Sequence, residues 1–366
     1  MLSIASRSDA YQDHVHGACW IGHAQRIAYD ASMLALTIEP VAGAGRHLAL
    51  VMALGLCGCR GMTPGGPGGP GGPGGPGGMT AGAPKAGDAT TDRAGAASGL
   101  VPGSLAVHWM HGSADCTQNS DPEIQVHPYN ATTYIIRQNK CQNFEAPFVY
   151  LLIGTQAALS LDTGATDTPA LRETIKRLIG ARPLLAAHSH AHGDHKASDG
   201  QFAGQPGITV VANTVAGQQA AFGITTWPET PGHHELGDRT LDVIAIPGHE
   251  TTHIAIYDRQ TGLLLTGDSL YPGLLFIRDW PTYRTSMHRL AQFAATRPIT
   301  HVLGAHIEMT ATPKVSYPYR TTYQPNEHVL QLTAAHLVEL DAALIELGPD
   351  KPAQPIAHDD FVIDPT

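Results

Sequence analysis

Six consecutive residues constrain this chain more than any other feature: His190-Ala191-His192-Gly193-Asp194-His195. Two histidines one residue apart can both face one ion. The aspartate and the next histidine then point toward a second ion a few ångströms away. Zinc suits a mixed imidazole and carboxylate set, and a catalytic zinc keeps one position for water. Two ions so placed share a hydroxide and clamp a substrate oxygen. His188 and His190 repeat the same spacing, but the following Asp194-His195 favours the register of His190 and His192.

The sequence around this loop alternates short apolar runs with turn residues. Glu123 to His127 and Thr132 to Arg137 read as strands. Phe148 to Ile153 and Ala157 to Leu161 read as a hairpin across Gly154-Thr155-Gln156. A helix follows, with Thr168 as cap, Pro169 in its first turn, Leu171, Ile175, Leu178 and Ile179 on one face, and Gly180 as its stop. Pro183 to Ala187 is a short buried strand, and the histidine loop begins at its end. Ile208 to Ala212, Thr240 to Ile246, Ile254 to Tyr257, Leu263 to Thr266 and His301 to Leu303 are further strands. Tyr283 to Thr296 and about Asn326 to Leu347 are expected helices. Repeatedly, a strand ends and a His or Asp follows within a few residues. Such ends let a rigid sheet hold ligands at fixed spacing. The implied architecture is a sheet-rich α/β sandwich with its site along one edge.

The His-x-His-x-Asp-His loop after Ser189 resembles that of the metallo-β-lactamase superfamily. So does a series of shorter motifs in the same order: Asp162-Thr163-Gly164, Pro247-Gly248-His249, Gly267-Asp268 and His306. The resemblance covers about residues 123 to 306. It implies an αββα four-layer sandwich. It also implies that one metal is held by His190, His192 and His249, a second by Asp194, His195 and His306, and that Asp268 bridges them. Asp162 then buttresses the site without binding metal. His253, four residues after His249, and His188 are expected beside the ligands. His233, His234 and His328 are expected on the surface or in structural roles. Two Zn²⁺ ions are the implied cofactors, with iron or manganese as alternatives.

The chemistry implied is hydrolysis of an ester, thioester, lactone or amide, with a metal-bridging hydroxide attacking the carbonyl and Asp194 and Asp268 holding it in line. Two kinds of relative compete. Ser189 to His192 and Asp268-Ser269-Leu270 look like the β-lactamases whose ligands are only His and Asp. Pro247 to His253 looks more like glyoxalase II and its thioesterase relatives. β-Lactam hydrolysis is therefore the alternative function. Di-iron oxidoreductases and sulfur dioxygenases on the same fold are a third reading, separable by metal identity. Lys196-Ala197-Ser198 departs from the small, Gly-rich residues that usually follow the last histidine. Tyr271, Arg278, Trp280, Tyr319, Arg320 and Tyr323, all near ligand-bearing loops, are candidate substrate contacts, Tyr271, Arg320 and Tyr323 foremost.

The remaining features concern the chain's address. Residues 61 to 99 are mostly Gly, Pro, Ala, Thr and Asp, with five Pro-Gly-Gly triplets from Pro64 to Gly78. Such a stretch cannot bury enough apolar area to offset its ordering entropy, so it reads as a linker. Leu48 to Leu56 is too short to span a bilayer, but fits the apolar region of a signal peptide. Leu56-Cys57-Gly58-Cys59 resembles a bacterial lipobox, with Cys59 as the lipidated residue. The expected organisation is a leader over 1–59, a disordered linker over 60–100, and a catalytic domain over 101–366. Residues 1 to 45 are too long and too mixed in charge for a normal signal, which suggests translation from near Met33 or Val41. Of five cysteines, Cys116 and Cys141 fall in the catalytic part, and an even count in an exported domain suggests a disulfide. The alternative is two free thiols. Net charge is −10 and no Lys/Arg cluster stands out, which excludes nucleic acid as a partner. The expectation is an exported bacterial lipoprotein, periplasmic or anchored to the outer membrane. It meets membrane only through its lipid and acts on a small molecule.

Overall fold

The structure, a computed structural model, describes residues 99–366. The leader, the Cys59 motif and all but the last residues of the Gly/Pro tract lie outside the described residues. Two six-stranded sheets form the frame. The first runs, in spatial order, β1 (Ile124–Asn130), β2 (Thr133–Gln138), β3 (Phe148–Ile153), β4 (Ala158–Leu161), β5 (Leu184–Ala187) and β6 (Ile208–Val210). Its first four strands are antiparallel neighbours, and β4, β5 and β6 are parallel. The second contains β7 (Gly232–Glu235), β8 (Thr240–Ala245), β9 (Ile254–Asp258), β10 (Leu263–Gly267), β12 (His301–Gly304) and β13 (Gln331–Leu332), in the order β13-β12-β10-β9-β8-β7. A small third sheet joins β11 (Leu274–Phe276), β14 (Ile356–Ala357) and β15 (Val362–Asp364).

The layering follows from the two-residue period of the strands. In β3, Phe148, Tyr150 and Leu152 point into a core shared with Leu241, Val243, Ile254, Ile256, Leu263 and Leu265 of the second sheet. Val149, Leu151 and Ile153 point the other way, onto Leu171, Ile175 and Ile179 of helix α1 (Ala170–Ile179). The far face of the second sheet, through Ile244, Ala255, Leu264 and Val302, packs on two longer helices. These cover Trp280–Ala294 and Ala334–Leu347. The result is helix, sheet, sheet, helix. All six residues of β3 are buried, and burying one such apolar side chain contributes roughly 1.5–3 kcal/mol.

Several boundaries differ from expectation. Thr168 does not cap α1: its hydroxyl bonds the Glu123 carboxylate, and Pro169 occupies the cap position without a side-chain bond. The helix expected from Tyr283 begins at Trp280, because Asp279 accepts from Thr282 N and Pro281 suits the first turn. The last helix begins at Ala334, not near Asn326. Gln331–Leu332 instead pairs with β12, and Thr333 and His336 close a capping box at the true start. Between these elements run the short helices α2 (Gly193–Lys196), α3 (Asp199–Phe202) and α4 (Val215–Phe222), so that the two longer helices become α5 and α6. No expectation covered α4, β7 or the third sheet. Cys116 and Cys141 form a disulfide.

The chain directions decide where the site lies. In the first sheet β4 and β5 run parallel. In the second, β8 and β10 are each antiparallel to β9, and β12 is parallel to β10. The C-terminal ends of β8, β10 and β12 therefore open on one side. Ile254 N donates to the Ser189 carbonyl, 2.8 Å, and so ties the start of β9 to the loop after β5.

Candidate metal centre

Each strand end delivers one part of the cluster. Asp162 follows β4, His190 to His195 follow β5, His249 follows β8, Asp268 follows β10, and His306 follows β12. Two glycines make the crowding possible. A Cβ at Gly248, whose φ is +139°, would lie 2.4 Å from Tyr283 Cα. One at Gly267, whose φ is +51°, would lie 2.5 Å from His253 Nε2 and 2.8 Å from Ser189 Cβ. Neither position tolerates a side chain without moving a neighbour of the ligands.

Two groups of donor atoms result, and they share Asp268. In the first, His192 Nδ1 lies 2.8 Å from His190 Nε2 and 3.1 Å from His249 Nε2. Asp268 Oδ2 lies 3.7 Å from His190 Nε2 and 3.6 Å from His249 Nε2. In the second, Asp194 Oδ2 lies 3.1 Å from His195 Nε2 and 3.4 Å from His306 Nε2. Asp268 faces both members, with Oδ2 3.4 Å from His195 and Oδ1 3.4 Å from His306. The seven residues the sequence singled out as ligands are thus brought together.

The outer nitrogens show why these atoms suit a cation. His195 Nδ1 lies 2.9 Å from Asp162 Oδ2, His249 Nδ1 lies 2.7 Å from the Phe276 carbonyl, and His306 Nδ1 lies 3.1 Å from the Glu145 carbonyl. Each acceptor claims the ring proton, fixes the tautomer, and leaves a lone pair on Nε2 aimed inward. His190 Nδ1 meets Ser189 Oγ at 3.1 Å. Asp162, with φ +75°, also accepts from Ser189 N at 2.7 Å and Ser189 Oγ at 3.0 Å, so it braces the loop as expected. His195 Nε2 and Asp268 Oδ1 are buried without hydrogen-bond partners. Most buried polar atoms in folded proteins are satisfied, and His192 Nε2 and His253 Nε2 beside the cluster are further exceptions. Inward lone pairs, crowded carboxylates and unpartnered atoms together fit bound metal cations.

The electrostatics divide the same way. Burial drives His190 and His253 well below the ordinary imidazole range, and lowers His192 to about 4. Burial also disfavours charge on His195 and His306, but Asp268 and Asp194 outweigh it and hold both well above that range. Asp268 and Asp194 are held low in return, burial notwithstanding, chiefly by His195 and His306. His190 and His192 thus keep neutral rings, whereas at His195 and His306 a proton competes for the same Nε2 lone pairs that a cation would take, and cation binding there would release it.

Around the cluster opens a cavity of about 590 Å³. Tyr271 lines it, but its hydroxyl is committed to the Leu274 carbonyl, 2.5 Å, and to Glu308 Oε2, 3.0 Å. Arg320, Tyr319 and Arg278 stand at the mouth. Two expected contacts fail. Tyr323 does not line the cavity, because the chain is extended there and neighbours point to opposite sides. Gln324 turns in, while Tyr323 packs by His111, with ring centroids 5.7 Å apart. Trp280 is buried in the α5 packing and donates to the Gly348 carbonyl. His253 lies beside the ligands, 4.7 Å from the His190 ring, with its Nδ1 at Ser269 Oγ. His188 instead pairs with Asp199 at 2.7 Å, on the other side of the loop.

The sequence reading missed several lining residues, among them Lys140, Phe144, Glu145, Glu308 and Tyr317. It also missed Glu250, whose carboxylate accepts from Thr252 N and Ala191 N and so joins the two ligand loops. Burial would raise Glu250, yet hydrogen bonds from Thr252 and Thr251 hold it to about 2.

Residues 143–306 match the family model described as the metallo-beta-lactamase superfamily. Among curated relatives, the chain is 24% identical over 224 residues to the acyl-coenzyme A thioesterase MBLAC2 of Gallus gallus, covering 50% of this chain and 80% of the relative. It is 29% identical over 159 residues to the hydroxyacylglutathione hydrolase of Erythrobacter litoralis, covering 41% of this chain and 59% of the relative. A solved metallo-beta-lactamase from Pontibacter korlensis is 16% identical, with a TM-score of 0.41, over 61% of this chain and 99% of that one.

Proposed function

Residues 143–306 make this chain a member of the metallo-β-lactamase superfamily, and from that premise we propose that it hydrolyses a thioester or ester with two zinc ions. The observation that carries this reading is the pair of donor groups that share Asp268. His190, His192 and His249 would hold one ion, and Asp194, His195 and His306 the other. The relatives named as thioesterase and hydroxyacylglutathione hydrolase support a thioester or ester over an amide.

Two such ions, when bound, lower the pKa of a water and polarise a carbonyl oxygen. The chain's own residues do the rest. Asp162, Phe276 and Glu145 fix the ring orientations of His195, His249 and His306. Asp194 and Asp268, kept ionised by their histidine neighbours, accept hydrogen bonds from the attacking water and orient it. The water's oxygen bonds to the carbonyl carbon, the C–S or C–O bond breaks, and the leaving thiol or alcohol takes a proton. No Ser or Cys nucleophile is required. The Cys116–Cys141 disulfide supports export to an oxidising compartment.

The test is a panel run on zinc-loaded and iron-loaded protein: a thioester, an ester, a lactone and nitrocefin. Zinc-dependent turnover of the thioester or ester is expected. Turnover of nitrocefin alone would make the chain a β-lactamase. Oxygen consumption by the iron form, without hydrolysis by either form, would refute the proposal.

A further inference from the structure

Two arginines show how this fold treats a buried cation. Arg137 is 1% exposed and grips both oxygens of Glu327, at 2.5 and 2.8 Å. Arg239 is 2% exposed and meets Asp258 at 2.6 Å. Such pairing is the rule, because an unpaired charge loses its hydration without compensation. Lys140 breaks the rule. It is 3% exposed, yet among the described residues it forms no ion pair, and its ammonium donates only to the Phe144 carbonyl, 2.8 Å away. An ammonium has three protons to give.

Lys140 lines the metal cavity, and so does Gln324. Gln324 is 3% exposed, and its Oε1, an acceptor, is buried without a partner; a half-turn of the amide about its terminal bond puts Nε2 at that position as a donor. Gly112 packs against Lys140 and the strand-like segment that carries Gln324: a Cβ there would lie 2.9 Å from Lys140 Cβ and 1.9 Å from the Thr322 carbonyl, and Gln324 N donates to the neighbouring His111 carbonyl. The cavity wall thus carries an unpaired ammonium and an uncommitted carboxamide, both sheltered from solvent. Two carboxylates share that lining: Glu308 is already engaged, accepting from Tyr271 Oη and Leu274 N, and burial pushes both Glu308 and Glu145 above the ordinary carboxylate range.

We propose that Lys140 and Gln324 form a carboxylate-binding subsite, which selects substrates whose acyl part carries an anionic group. The ammonium supplies the counter-charge and the carboxamide N–H a second donor. The acyl part is assigned to this wall because Lys140 lies inside, whereas Tyr319, 74% exposed, and Arg320 stand at the mouth. The leaving group departs first and so faces the mouth. Burial, with Arg137 nearby, lowers the Lys140 ammonium to about 8, against the pull of Glu327, Glu308 and Glu145. A bound carboxylate would strengthen its hold on the proton. Turnover at this subsite presupposes the hydrolase reading; binding does not.

The test uses the zinc-loaded full chain and two p-nitrophenyl esters of equal acyl length, the hydrogen glutarate and the valerate. Wild type should favour the glutarate by roughly tenfold to a hundredfold in KM. Lys140→Met should lose that preference, and Lys140→Arg should recover much of it. In wild type the preference should also fade as pH rises through about 8. Gln324→Leu gives a second variant, with a reduced preference, should Lys140→Met not fold. An equal preference in wild type and variants overturns the proposal, as does no preference in wild type. If neither ester is hydrolysed, the hydrolase reading fails, and calorimetric titration with 4-phenylbutyrate against 4-phenylbutanol decides the subsite alone. Tighter carboxylate binding that vanishes in the variants upholds it, and equal binding of acid and alcohol overturns it.

Discussion

The two sides of the cavity are built on different principles. The metal side is made of residues that sit just past the ends of buried strands, each braced by a fixed backbone or carboxylate acceptor. The opposite side is made of two long connections, residues 139–147 and 311–329, held by a disulfide, a ring contact and a few hydrogen bonds. Phe144 on one connection meets Tyr319 and Arg320 on the other, with ring centroids 5.6 Å apart and the guanidinium 5.3 Å from the ring. The first side fixes atoms to within the tolerance that coordination needs. The second encloses volume and meets the first where the Glu145 carbonyl holds His306 Nδ1. This division separates reaction type from substrate choice.

Ligand replacement should have the largest effect. Asp268→Ala removes the one carboxylate common to both groups and should abolish turnover, as should His192→Ala. Loss measured as kcat/KM together with metal content checks this, and full activity in either variant would contradict the assignment. Asp162→Asn comes next. It places an amide N–H₂ or a weaker acceptor against His195 Nδ1–H and Ser189, and should lower metal affinity or activity by about 10–100-fold. Unchanged metal affinity would show that the bracing is incidental.

The disulfide tests the link between the two sides. Cys141 lies in the same connection as Glu145, whose carbonyl orients His306. Replacing both Cys116 and Cys141 by Ser should cost about 3 kcal/mol, or roughly 10 °C in Tm, without removing a ligand. A kcat that falls beyond the stability loss would show that the second connection positions the metal side. An unchanged kcat would show that the two sides are independent.

Lys140 gives the smallest and most specific effect. Its folded pKa, about 8, lies below its ordinary value of 10.5. Folding therefore disfavours the protonated form. The cost, of order 3 kcal/mol at most, is present below pH 8 and is relieved as pH rises from about 8 to 10.5. Lys140→Met, which keeps the apolar stem, should be more stable than wild type near neutral pH, with the gap closing across that window. Urea denaturation at several pH values measures it. A gap independent of pH would mean that the ammonium is compensated in the fold.

The same division explains what the sequence disclosed. The strands and the seven clustered residues were legible because each signal is local: an apolar run, then a His or Asp within a few positions. Asp162 was legible for the same reason. The start of α6 was not, because its capping box uses His336 where the familiar pattern has Glu or Gln. The apolar residues Leu330 and Leu332 then looked like part of the helix, though they belong to the sheet side. Lys140, Gln324 and Phe144 carry no local signal at all. Their roles arise from contacts such as Gly112 with Lys140 and Thr322, which join positions far apart in the chain. Tyr323 was misplaced by a single residue, which in extended chain reverses the side it faces.

The central claim is that Asp268 joins two donor groups into one hydrolytic centre. The most direct test is metal content by elemental analysis, with thioester hydrolysis measured on the same preparations of wild type and Asp268→Ala. The account predicts about two zinc ions per chain in wild type, with a reduced content and no turnover in the variant. Wild-type protein that binds no metal, or a variant that keeps both its zinc and its activity, would contradict it.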